Sequence, residues 1–220
     1  VTPASWPPRV KICGLTRRED AEVAARAGAD FLGVVLAPGG RRTVTAERAG
    51  EILSGLAPAR VGVFVDATAE EMMRAARAAE LHVLQLHGDE SPVTARALRE
   101  AGWTVWKALH PRGGEELEAG VERWAASVDA LLLDGWSPEA HGGTGARFPW
   151  REVAARRARV PPGVALVAAG GMRAGNVAEA AALLRPDVLD VSSGVESAPG
   201  VKDAEAVRAF VAAVRALPPL

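Results

Sequence analysis

The 220-residue sequence holds one cysteine, three lysines and two side-chain amides, Gln85 and Asn176. A single cysteine excludes an internal disulfide framework and any cysteine-rich zinc site, and it suits a reducing cytoplasm. Neither sign of charge is in excess. A formal net charge of −1 makes no electrostatic case for nucleic acid or an anionic membrane as a partner. No apolar run reaches the length of a membrane span, and the first residues lack the charged start and apolar stretch of a secretory signal. The four histidines show no metal-ligand spacing, so no metal is expected. No Gly-x-Gly-x-x-Gly follows the first strand-like run, which argues against a dinucleotide fold. Composition does not shift along the chain. Residues 1–220 therefore read as one domain with short Pro-rich tails at 3–8 and 218–220.

What the chain does have is 49% hydrophobic residues, enough for a sizeable core, in a regular alternation. Short apolar runs predict strands at 10–13, 31–36, 61–65, 83–86, 104–108, 130–134, 164–169 and 188–192. Amphipathic helical patterns stand between them and after the last, at 17–27, 46–56, 69–79, 93–101, 115–126, 150–158, 174–184 and 204–216. Eight such units close into a (β/α)8 TIM barrel, with an open doubly wound sheet as the rival.

In a barrel the chemistry gathers at the carboxyl ends of the strands. Strand one reads Arg9-Val-Lys-Ile-Cys-Gly-Leu-Thr16, with Val10 and Ile12 facing helices and Lys11 and Cys13 on the hidden side. Thr16 is placed to cap the first helix. Cys13 reads either as a buried small hydrophobe or as a reactive thiol whose thiolate a nearby cation favours. The other tips supply Arg41 and Arg42, Gln85 and His87, Lys107, Asp134, Gly170-Gly171 and Ser192-Ser193-Gly194. Glycines at the seventh and eighth tips suit a phosphate, and Gly142-Gly-Thr-Gly145 adds a candidate loop. Asp134 reads either as a cap for the following loop or as a general acid or base, and His87 either as structural or as a rival acid–base candidate. Asp190 falls on the same inward side as Lys11 on the neighbouring strand. The two buried charges are expected to pair, and Lys11 to lend positive potential to Cys13. Three strand steps separate Asp134 from Cys13, so the two should face each other across the mouth.

These motifs resemble the phosphoribosylanthranilate isomerase family along almost the whole chain. The resemblance runs through Lys11-Ile-Cys-Gly-Leu-Thr16, Gly39-Gly-Arg-Arg42, Leu84-Gln-Leu-His-Gly-Asp-Glu90, Leu132-Leu-Asp134, Ala169-Gly-Gly-Met172 and Asp190-Val-Ser-Ser-Gly-Val-Glu196. It implies an Amadori rearrangement of N-(5′-phosphoribosyl)anthranilate in tryptophan biosynthesis, with no metal or cofactor and a cytoplasmic monomer or homodimer. Cys13 would be the general base and Asp134 the general acid. Arg42 would meet the anthranilate carboxylate, and Gln85, His87 and Asp190 would touch substrate. Gly143, Gly145, Gly170, Gly171, Ser192, Ser193 and Gly194 would hold the phosphate. Gly40 stands where the family usually has serine. A barrel that only binds phosphorylated ligands would not need Cys13 with Asp134, and the related histidine-pathway isomerase carries carboxylates at both positions.

Overall fold

The computed structural model describes residues 6–135 and 150–219. Among these, eight parallel strands pair in chain order and the eighth returns to the first, closing a barrel. The strands are β1 (Arg9–Ile12), β2 (Phe31–Val35), β3 (Ala59–Phe64), β4 (Val83–Leu86), β5 (Thr104–Leu109), β6 (Ala130–Leu133), β7 (Ala165–Ala168) and β8 (Val188–Val191). Each is followed by a helix, in order α1 (Arg18–Ala27), α2 (Ala46–Leu53), α3 (Ala69–Ala78), α4 (Pro92–Glu100), α5 (Gly114–Trp124), α6 (Trp150–Ala154), α7 (Val177–Leu184) and α8 (Ala204–Arg215). The closed order excludes the open-sheet alternative. Among the described residues no helix is long and apolar enough to cross a membrane.

The period of two along each strand sorts the apolar residues into two separate cores. Val10, Ile12, Leu32, Leu84, Leu131 and Leu133 pack outward against the helices. Phe31, Val61, Trp106, Leu132, Val167 and Val188 fill the barrel itself. Trp106 is fully buried there and meets Phe31 edge-on, with ring centroids 5.1 Å apart. The same alternation corrects one expectation from the sequence. Lys107 sits between the inward-facing Trp106 and Ala108, so its side chain leaves the barrel and pairs with Glu90 at 2.9 Å in the helix layer. It takes no part in the mouth.

Local chemistry explains where helices start and stop. Thr68 and Glu71 form a reciprocal capping box on α3, Ser91 caps α4 ahead of Pro92, and Asp203 caps α8. α6 is shorter than its pattern suggested, passing into a 3-10 turn at Arg157–Arg159. Val160 precedes Pro161 and is held extended, which ends the helical run. α7 begins at Val177 rather than at 174. Asn176 accepts from Arg173 N–H at 2.9 Å and donates to the Gly171 carbonyl at 2.9 Å, which commits these residues to the turn after β7.

The sequence pattern gave no sign of a small antiparallel hairpin after β8, β9 (Glu196–Ala198) and β10 (Val201–Lys202). It also overturns the expected role of Thr16. The Thr16 hydroxyl donates to the Gly200 carbonyl at 2.5 Å, while Arg17 takes the cap position of α1 with no side-chain cap bond. A hydroxyl committed to the hairpin is not available to the helix end.

Candidate active site

β1 and β8 lie in direct register, Lys11 opposite Asp190, and both side chains point into the barrel. Lys11 Nζ donates to Asp190 Oδ2 at 2.8 Å, with Lys11 wholly buried. The expected internal ion pair is thus present. Burial opposes the ammonium, but the Asp190 carboxylate and the neighbouring Cys13 sulfur hold the Lys11 pKa above the usual lysine value.

Space for this pair comes from Gly33, on the other flank of β1. A Cβ at Gly33 would lie 2.9 Å from Cys13 Sγ and 3.1 Å from Lys11 Cε. Every other residue type would push the thiol or the amine aside.

Cys13, Asp134 and Ser192 each stand one residue beyond the end of their strand and line a single cavity of about 530 Å³ at the barrel mouth. That volume suits a small-molecule substrate. Arg42, Gln85, His87, Gly170, Gly171, Asp190, Ser193 and Gly194 line the same cavity. Gly143 and Gly145 lie outside the described residues. Gly194 lets the loops after β7 and β8 close on each other, since a Cβ there would lie 1.9 Å from the Met172 carbonyl oxygen.

Cys13 and Asp134 stand on different arcs of this mouth, with β7 and β8 between them. Among the described residues no hydrogen bond joins them. Asp134 Oδ1 accepts from Gly135 N–H at 2.8 Å, while Oδ2 lies 3.3 Å from His87 Nε2. Cys13 lies beside Lys11. Both groups line the one cavity at the barrel mouth.

Their protonation differs from that reading. Burial pushes the Cys13 thiol up, further than Lys11 pulls it down, and Asp190 adds to the rise. The cation expected to favour a thiolate is present but loses to desolvation and to its own carboxylate partner. Asp134 is also penalised by burial, yet its hydrogen bond to His87, the charges of His87 and His110, and the Gly135 N–H together take it below the usual carboxylate range. In the field of the protein's own groups the proton therefore rests on sulfur. Because Cys13 is the only cysteine, thiol labelling reads this position alone. The pH midpoint of iodoacetamide labelling is expected above the free-thiol value of about 8.5. A midpoint below that value would show that Lys11 outweighs burial.

Arg42 reaches the mouth in a form the sequence did not suggest. Its Nε and Nη2 donate to the two carboxylate oxygens of Glu196 at 2.8 and 2.6 Å, a bidentate clamp. Glu196 also accepts from Lys202 Nζ at 2.7 Å, and Lys202 in turn donates to the Ser192 carbonyl at 3.1 Å. The β9–β10 hairpin thereby holds the arginine and braces the loop after β8. Sequence reasoning gave Glu196 and Lys202 no role, because only the hairpin brings them under Arg42. It also gave none to His110, whose Nε2 lies 3.3 Å from His87 Nε2.

A closed eight-stranded barrel whose mouth holds an acid, a thiol, a clamped arginine and two apposed glycine turns defines an enzyme of the phosphosugar-isomerase kind. The family model for N-(5′-phosphoribosyl)anthranilate isomerase matches residues 10–213. The isomerase of that name from Chromohalobacter salexigens is 45% identical over 210 residues, covering 94% of this chain and 93% of its own. The crystal structure of the Thermus thermophilus phosphoribosyl anthranilate isomerase superposes with a TM-score of 0.81 at 44% identity, covering 94% of this chain and 98% of its own. A further crystal structure of such an isomerase, in complex with reduced 1-(o-carboxyphenylamino)-1-deoxyribulose 5-phosphate, superposes with a TM-score of 0.82 at 32% identity, covering 96% of this chain and all of its own. The chain belongs to the N-(5′-phosphoribosyl)anthranilate isomerase family and shares its activity in tryptophan biosynthesis.

Proposed function

We propose that Cys13 and Asp134 carry the Amadori rearrangement of N-(5′-phosphoribosyl)anthranilate from opposite sides of the mouth. Asp134 protonates the furanose ring oxygen as the ring opens to an iminium. Cys13 then removes the proton at C2′, and the resulting enolamine tautomerises to the ketone. The observation that supports this reading is that a thiol and a carboxyl follow two non-neighbouring strands of one cavity, with no hydrogen bond between them among the described residues. A nucleophile with its activating base would be hydrogen-bonded instead. The scheme needs one proton moved from sulfur to carboxyl. The phosphate and carboxylate of the substrate add negative charge, which raises Asp134, while Lys11 and Lys202 stay within electrostatic reach of Cys13.

The remaining lining residues fit the rest of the substrate. The turns at Gly170-Gly171 and Ser192-Ser193-Gly194 face the phosphate. Asp190 Oδ1 is buried with no hydrogen-bond partner among the described residues and lines the cavity, so it accepts from a sugar hydroxyl. Arg42 faces the anthranilate carboxylate. The single cysteine suits a reducing cytoplasm as the compartment of this enzyme.

The purified protein is expected to turn over N-(5′-phosphoribosyl)anthranilate and not the aminoaldose phosphate of histidine biosynthesis. Turnover of neither would leave a binding protein. Arg42→Ala is expected to raise KM roughly ten- to a hundredfold with kcat little changed, because a charged hydrogen bond contributes about 1.5–3 kcal/mol. A fall in kcat at unchanged KM would remove Arg42 from carboxylate recognition.

A further inference from the structure

β4, β5 and β6 are neighbours, and the residues just past their ends bring His87, His110 and Asp134 to one point. Their ligating atoms all lie within 4.8 Å of one another. Two edges of that triangle meet at His87 Nε2, 3.3 Å to Asp134 Oδ2 and 3.3 Å to His110 Nε2.

Both contacts are at the long end of the range for hydrogen bonds. His87 Nε2 carries at most one proton, so it donates to only one of the two atoms that face it. The spacing matches a different object. An ion bound tetrahedrally by nitrogen and oxygen at about 2.0–2.1 Å separates its ligands by about 3.3 Å. The third edge, from His110 to Asp134, is within 4.8 Å.

The surroundings also suit metal ligation. Gln85 Nε2 lies 3.0 Å from His87 Nδ1, so the Gln85 amide sits against the nitrogen that does not face the cluster. Gln85 Oε1 is buried with no partner among the described residues. Rotating the amide by half a turn lets this oxygen accept from Nδ1–H, leaving the Nε2 lone pair for a metal. A histidine ligand oriented through its other nitrogen is the usual support of such sites. Asp134 is oriented likewise, with Oδ1 on the Gly135 N–H and Oδ2 presented to the cluster.

We propose that His87, His110 and Asp134 form a binding site for a borderline divalent transition ion such as Zn²⁺ or Co²⁺, and that the ion inhibits the isomerase by occupying Asp134. Two imidazoles and one carboxylate favour these ions over Mg²⁺ or Ca²⁺, which take oxygen ligands. The inhibition rests on Asp134 being the catalytic acid; the binding does not.

Co²⁺ is titrated into the untagged full chain and followed by its visible d–d absorption, then displaced with Zn²⁺. The expected result is saturable tetrahedral-type absorption at one ion per chain. His110→Ala is expected to weaken Co²⁺ binding at least tenfold, with an unchanged circular dichroism spectrum and substrate still turned over. His110→Gln serves if the alanine variant does not fold. Cys13→Ala is expected to keep the spectrum, which excludes the thiol as ligand. Absence of the absorption, its loss in Cys13→Ala, or undiminished binding by His110→Ala would overturn the site. Zn²⁺ is expected to inhibit the wild type and to lose potency in His110→Ala. Binding without inhibition would overturn the inhibitory role and the assignment of Asp134 as acid, while the metal site itself would stand.

Discussion

Asp134→Asn is expected to lower kcat by about 10²–10⁴-fold, the range for removal of a positioned acid–base group. The substitution is nearly isosteric. The side-chain oxygen retained by asparagine still accepts from the Gly135 N–H, so the loop after β6 keeps its anchor. What is lost is the proton that reaches the ring oxygen. Cys13→Ala is expected to cost as much for the opposite reason, since the base at C2′ disappears. The alanine creates no clash, because the space left by Gly33 already accommodates the larger thiol. The two groups act on different atoms in successive steps, so each loss is close to total by itself. Steady-state kinetics on folded, purified variants decide the matter, and near-wild-type kcat in either one removes that residue from the chemistry.

The largest expected effect on stability is at Lys11. Lys11→Met keeps the length of the side chain but strands Asp190, which is buried and has Lys11 as its ion-pair partner at 2.8 Å. Breaking one side of a buried pair costs about 3–5 kcal/mol. For a protein of this size that corresponds to a fall in Tm of roughly 6–20 °C. The double variant Lys11→Met with Asp190→Leu is expected to recover much of the loss, because no uncompensated charge remains. Thermal unfolding of the three proteins tests this. A single variant within 1 °C of wild type would mean that Asp190 is not left as a costly buried charge. In the single variant the labelling midpoint of Cys13 is also expected to rise, since Lys11 is the largest influence lowering it.

Much of the site was legible in the sequence because strand ends and the period of two are local properties. A run such as Leu131-Leu-Leu-Asp134 shows on its face where the strand stops and which residue is left at the mouth. The pairing of Lys11 with Asp190 followed from the same alternation, once eight strands required the last to lie beside the first. Lys107 shows the limit. It sits near the end of a strand, as Cys13 and Asp134 do, but one position out of phase, and it serves the helix layer through Glu90.

The chain by itself determined the number of βα units, the closure they require and most of the residues that line the mouth. These are consequences of hydrophobic period and turn chemistry, which act over a few residues. Tertiary structure alone decided that Glu196 clamps Arg42 across 154 positions, that His110 joins His87 and Asp134, and that burial leaves the proton on Cys13 despite its lysine. Each of these depends on distances and desolvation set by the closed barrel and its hairpin. Electrostatic energy is fixed by separation in space and by loss of water, and neither is written in the order of residues along the chain.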